Sequence, residues 1–138
     1  MKLVVLGRTG FIGEAIFEHY QSSGTYEVSG FNSSELNLTA FNAADELARI
    51  LDGNTVLVIS AKASKDLDPL KTFEQDIAIT NNVARATAIT PVKKCVCFSS
   101  IAVYGEAVEN VNITEETEPS PTSLYGVSRL AGEFAIKS

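Results

Sequence analysis

The sequence predicts an α/β fold: a doubly wound parallel sheet with helices on both faces. Short apolar runs alternate with segments of helical period four times along the chain. The connections are long enough for the helical crossovers that parallel strands require. A glycine-rich turn separates the first run from the first helix. The chain has 138 residues, the size of one domain, and no shift in composition divides it, so residues 1–138 are expected to form a single unit.

The elements follow in order. Lys2–Leu6 reads as a strand buried on both faces and closed by Gly7. Ile12, Ala15, Ile16, His19 and Tyr20 recur at helical spacing until Gly24 stops the helix. Tyr26–Phe31 is a second strand, and Ser34–Leu38 a weaker third. Thr39 can cap a helix with Phe41, Ala44, Leu47, Ala48 and Leu51 on one stripe, ended by Asp52-Gly53. Thr55–Ser60 is another strand. Asp68-Pro69 pairs a capping acid with proline in the first turn of a long helix, with Leu70, Phe73, Ile77, Ala84 and Ala88 inward. Lys94–Ser99 is the last strand. Gly105 to Ser123 is polar and proline-containing and reads as a long loop. A final helix from Ser123 should turn Leu124, Val127, Leu130, Ala131 and Phe134 inward.

Composition removes several classes of function. Hydrophobic residues make up 45% and charged residues 20%, too apolar a mixture for a disordered tail. Eleven basic against 17 acidic residues give a net charge of −6, which repels phosphate backbones, so no nucleic-acid partner is expected. No apolar run reaches the ~18 residues of a membrane span. The short N-terminal run with its single Lys2 does not make a leader, and the cytoplasm is the expected compartment. Cys95 and Cys97 face one side of a strand at a spacing that suits neither zinc nor a redox pair, and are expected to be reduced core thiols. His19, the only histidine, is read as structural. Neither a Ser–His hydrolase nor a histidine metal site is therefore expected.

Chemistry concentrates in two places. Gly7-Arg8-Thr9-Gly10-Phe11-Ile12-Gly13 joins the first strand to the first helix. Bare backbone N–H groups at the positive end of a helix bind anions, and glycine supplies both the turn and the missing side chain. The spacing is G-x-x-G-x-x-G, and no Gly-Lys-Ser/Thr follows that would make it a P-loop. At the end of the second strand, Asn32 and Ser33 stand where an NAD site places an acid. Arg8 can meet a 2′-phosphate, so NADP is weakly preferred over NAD. The second place comprises Ser99 and Ser100 after the last strand, and Tyr125-Gly126-Val127-Ser128-Arg129 at the start of the last helix. Residues four apart share a helical face, so Tyr125 and Arg129 can act on one ligand. A phenol beside a cation exchanges protons more readily, and a nearby serine can hold the same oxygen.

These motifs, with Glu35-Leu36-Asn37-Leu38-Thr39, resemble the extended short-chain dehydrogenase/reductases of the nucleotide-sugar epimerase/dehydratase family. The resemblance runs nearly end to end. It implies a Rossmann-like domain that holds NAD or NADP, truncated before the sixth strand, with the C-terminal substrate domain absent from this chain. It assigns Gly7, Arg8, Gly10, Phe11, Ile12 and Gly13 to the cofactor. Asn32, Ser33, Asn37 and Leu38 follow on the adenosine side, then Ser60, Ala61, Lys62 and Ser99. It makes Tyr125 the acid/base and Ser100, four residues before Tyr104-Gly105, the residue that orients the substrate oxygen. Arg129 stands where the family has a lysine that contacts the nicotinamide ribose.

Four departures accompany the resemblance. Arg129 replaces that lysine. Lys62 stands where the family has a small residue, and Asp76 where a helix asparagine is common. Ile101-Ala102 lacks the acidic pair of sugar dehydratases. The expected activity is an NAD(P)-dependent epimerase or keto-sugar reductase acting on a nucleotide-sugar, of which this chain is the cofactor half. The alternatives are a nucleotide-binding or regulatory protein without efficient turnover, and a reductase of small non-sugar carbonyl compounds. The open edge of the last strand is expected to favour self-association as a homodimer.

Overall fold

The computed structural model describes residues 1–64, 68–105 and 112–137. One parallel sheet holds β1 (Lys2–Leu6), β2 (Glu27–Phe31), β3 (Thr55–Ile59) and β4 (Lys94–Cys97) in the order β2-β1-β3-β4. The helices are α1 (Phe11–Ser23), α2 (Ala43–Ile50), α3 (Pro69–Ile89) and α4 (Leu124–Lys137), with a 3₁₀ turn at Ile101–Tyr104. Strand residues alternate between faces. Val4, Leu6, Leu57 and Ile59 therefore feed one core, closed by Leu47 of α2 and by Ile79, Val83 and Ala86 of α3. Leu3, Val5 and Val58 feed the other, against Ile16 and Tyr20 of α1. The doubly wound parallel sheet is thus as expected. Among the described residues β4 pairs with β3 alone, which leaves its other edge open. No helix among them is long and apolar enough to cross a membrane.

The segment Ser34–Leu38 is not a strand. Asn32 Oδ1 accepts the N–H groups of Ser34 at 2.9 Å and Glu35 at 3.2 Å, and Asn37 Oδ1 accepts that of Thr39 at 3.1 Å. Side chains that bond their own backbone this way favour turns over sheet ladders. Leu36 and Leu38 still point into the core. Thr39 is held in that turn, so α2 begins only after Asn42, and Phe41 stays 98% exposed. Asp68 does cap α3, accepting the Lys71 N–H at 3.0 Å.

Two helices bury a different face from the one their apolar spacing predicts. In α4 the buried residues are Gly126, Ser128 and Gly132, while Leu124, Val127 and Phe134 are exposed. Small residues let α4 approach α3 closely, and the larger ones stay outside. In α3, Leu70 and Ala88 are exposed, and polar Asp76 and Asn82 are buried beside Ile79, Val83 and Ala86. On α1, Ile12, Ala15 and His19 are exposed. The expectation of two core thiols also fails in part. Cys95 is half-buried, its thiol pushed up to about 11 by burial and by the neighbouring Cys97, which is itself exposed on the edge strand. Residues 106–111 of the expected long loop lie outside the described residues.

The two buried polar residues of α3 clamp the loops that follow the strands. Asn82 Nδ2 donates to the carbonyls of Leu38 at 2.9 Å and Ala40 at 3.1 Å. Asp76, 1% exposed, accepts the Ala63 N–H at 2.9 Å and the Ser128 hydroxyl at 3.3 Å, and pairs with the Arg129 guanidinium. Removing one member of a buried ion pair strands the other charge. Arg129→Ala should therefore cost about 3–5 kcal/mol in urea unfolding. The double change Arg129→Met with Asp76→Asn should recover part of that loss, because the amide oxygen still accepts the Ala63 N–H and no charge is left unpaired. Asn82→Ala, which leaves two carbonyls without their donor, should cost about 1–3 kcal/mol in the same measurement.

Candidate functional site

The loops at the carboxyl ends of the strands enclose two adjoining cavities, where open α/β sheets bind ligands. The glycine loop lies between them. Gly7 and Arg8 donate their N–H groups to the Phe31 carbonyl at 2.8 and 3.2 Å, which ties the loop to the end of β2. Gly7 has φ +85°, and a Cβ there would meet Ala61 N at 2.7 Å. A Cβ on Gly13 would meet the Gly7 carbonyl oxygen at 2.2 Å. These two glycines are needed for packing. Gly10 differs: its φ of −84° suits any residue, and a Cβ would touch only the Gly7 oxygen, at 3.4 Å. The space above Gly10 is therefore open. Gly10 also caps α1 without a side-chain acceptor, and the N–H groups of Phe11, Ile12 and Gly13 find no acceptor among the described residues.

The first cavity, about 700 Å³, gathers most of the expected adenosine-side residues. Gly7, Gly10, Asn32, Ser33, Asn37 and Leu38 line it, with Ser60, Ala61 and Lys62. Arg8 does not. Its side chain lies over bare Gly30 and 5.7 Å from the Phe17 ring centroid. It grips Glu35 with two hydrogen bonds, of 2.7 and 3.2 Å. Glu35 also accepts the Asn32 N–H at 2.9 Å. The Arg8 guanidinium first, then the Asn32 N–H, hold the Glu35 carboxyl below its usual range, and Glu35 raises Arg8 in return. The expectation that Arg8 is free for a 2′-phosphate is thus corrected: an acid three residues beyond Asn32 already occupies it. That acid could not be recognised from sequence spacing, because the Asn32 turn is what folds it back.

The second cavity, about 290 Å³, brings the two motif clusters together. Gly10, Phe11, Ile12 and Gly13 form one wall, and Ser99, Tyr125 and Arg129 another, with Ser60 and Lys62 between. Gly126 makes this possible. A Cβ there would meet the Ala102 carbonyl oxygen at 2.4 Å, so only glycine lets α4 close on the 3₁₀ turn. The Arg129 guanidinium lies 5.2 Å from the Tyr125 ring centroid, a cation–π distance. Its ion-pair partner is Asp76, while Glu133, one turn along, accepts the Ser99 hydroxyl. Ser100 lines neither cavity: its Oγ accepts the Ala102 N–H at 3.2 Å as the cap of the 3₁₀ turn. Among the described residues its own proton goes to no acceptor. Gln75 and Phe98 line the cavities without having been expected to do so.

The residues fit a dinucleotide. The space over Gly10 is open to a ligand and shared by both cavities, and free helix N–H groups face the same loop. Arg129 Nε is buried with no hydrogen-bond partner among the described residues, a donor waiting for an oxygen. No cluster of His, Cys, Asp and Glu among the described residues could hold a metal.

The same architecture occurs in the crystal structure of the Thermus thermophilus UDP-glucose 4-epimerase in complex with NAD. That chain superposes with a TM-score of 0.83 at 26% identity, over 99% of this chain and 50% of that one. An uncharacterized protein, y4nG, of Sinorhizobium fredii is 30% identical over 146 residues, 97% of this chain and 36% of that protein. The methionine adenosyltransferase 2 subunit beta of Rattus norvegicus is 25% identical over 144 residues, 98% of this chain and 42% of that protein. The chain thus spans half or less of the length of each of these relatives. The NAD dependent epimerase/dehydratase family matches residues 3–138, the full run of strands, glycine loop and Tyr125 helix, and the chain belongs to that family.

Proposed function

We propose that this chain is the cofactor-binding half of an NAD(P)-dependent epimerase or oxidoreductase acting on a nucleotide-sugar. One observation carries the proposal: the glycine loop and Tyr125 line the same cavity, which adjoins the larger one at Gly10, Ser60 and Lys62. Two linked cavities suit a ligand of two linked nucleosides. The larger would take the adenosine side, and the free N–H groups of α1 would take the pyrophosphate. The bound nicotinamide would supply a hydride acceptor or donor at its ring. In the same reading Tyr125 moves the proton, and its 38% exposure leaves the phenol within reach of a substrate. Ser100 keeps its hydroxyl proton free and can give it to a substrate oxygen. The sugar itself comes from family membership and from relatives such as the UDP-glucose 4-epimerase.

The Arg8–Glu35 pair bears on the choice of cofactor. A 2′-phosphate would have to displace the Glu35 carboxylate to reach Arg8, and it would meet that carboxylate's charge. This favours NAD, against the sequence-based preference for NADP. A second reading, nucleotide binding without efficient turnover, is favoured by the Asp76–Arg129 pair, which matches the charge of Arg129 with a buried carboxylate.

Nicotinamide fluorescence on mixing the protein with NADH tests binding, and a turnover screen with UDP-, GDP- and dTDP-sugars separates enzyme from binder. Gly10→Val should abolish NADH binding while thermal unfolding stays cooperative, since its Cβ would touch the fold only at the Gly7 oxygen, 3.4 Å away, and the branched side chain fills ligand space. Binding of NADH by that variant at wild-type affinity would sink the cofactor assignment. Glu35→Gln should leave Arg8 unpaired and shift the ratio of NADPH to NADH affinity towards NADPH by at least threefold, read side by side at one ionic strength.

A further inference from the structure

Among the described residues three cations stand near the two cavities, and two of them are already matched. Arg8 is turned to Glu35 and lines neither cavity. Arg129, with a side chain only 12% exposed, is matched by Asp76. Lys62 is the third. It is exposed, lines both cavities and has no ion-pair or hydrogen-bond partner among the described residues. In the larger cavity it is the only charged side chain among the described lining residues.

Its place is the junction. Gly10, Ser60 and Lys62 are the residues that the two cavities share. A dinucleotide laid across both carries its two phosphate charges at the joint between its nucleosides. The chain as a whole has a net charge of −6, so its general field repels such a ligand. An unmatched ammonium at the joint offsets that locally. It is a compact charge on a flexible stem with several donors, suited to phosphate oxygens approached from one side. The free N–H groups at the start of α1 border the same junction but carry only partial charge.

We propose that Lys62 is the residue that meets the phosphate charge of the dinucleotide, and that Arg129 is a positioning residue. In this division Arg129 supports the Tyr125 ring and offers its buried, unpaired Nε–H, while the full positive charge facing the ligand comes from Lys62. The proposal rests on the dinucleotide reading above and adds which side chain carries its electrostatics.

The test titrates the 138-residue chain with NADH by nicotinamide fluorescence at two salt concentrations, and with adenosine by calorimetry. Wild type, Lys62→Met and Lys62→Arg are compared. Lys62→Met should weaken NADH at least tenfold and flatten the salt dependence, while adenosine, which has no phosphate, binds both proteins equally. Lys62→Arg should stay within threefold of wild type. If wild type binds NADH and Lys62→Met matches it in affinity and salt dependence, the role given to Lys62 is wrong and the dinucleotide reading stands. An equal loss of NADH and adenosine also overturns it, since the effect is then on cavity shape. If wild type itself binds no NADH, the dinucleotide reading falls and this proposal with it.

Discussion

The buried carboxylate of Asp76 is the contact on which the site's geometry depends. From the middle of α3 it holds the Ala63 N–H in the loop after β3, the Ser128 hydroxyl and the Arg129 guanidinium of α4. These partners come from two segments, the loop after β3 and α4, that the chain order keeps far apart. A charge this deep is tolerated only when it is paired and hydrogen-bonded, so the carboxylate enforces one relative placement of all three. Tyr125 inherits that placement, because it sits one helical turn before Arg129 with its ring against the guanidinium.

Close backbone approach is the second constraint. Gly13 lets the first turn of α1 settle on the Gly7 carbonyl, and Gly126 lets α4 settle on the Ala102 carbonyl. Both contacts are closer than any Cβ permits. They bring the glycine loop and the tyrosine helix to opposite walls of one small cavity. Gly10 faces open space instead, so its missing side chain serves a ligand and not the packing. One motif thus contains glycines of two kinds, and only the neighbours in space distinguish them.

Charge in the site is distributed by pairing. Two of the arginines near the cavities are held by carboxylates, one at the surface and one in the interior. The surface pair, Arg8 with Glu35, is exposed to solvent and screened, so it fixes a direction more than it adds stability. The interior pair leaves Arg129 with no unmatched charge, while its buried Nε–H finds no partner among the described residues. An arginine and an aspartate in contact thus stand where the resemblance implies a lysine and an asparagine.

By itself the sequence determined the alternation of strand and helix, the parallel sheet, the Asp68 cap and the glycine loop at the start of α1. Those features depend on local period, capping chemistry and the long crossovers between strands, all of which are written along the chain. Family membership was legible in the same motifs. Tertiary structure decided what local pattern cannot carry. Asn32 folded the Ser34–Leu38 segment into turns and so brought Glu35 to Arg8. Small residues turned α4 so that its glycines and Ser128 were buried and its larger apolar side chains were not. Asp76 looked like a substitution at a helix position until α4 packed beside it and supplied a guanidinium. For α4 and Asp76 the deciding partners lie far away in sequence, and burying a charge with its partner outweighs local preference. The Asn32 turn is local, but the Arg8 to which it brings Glu35 stands 27 residues away in sequence.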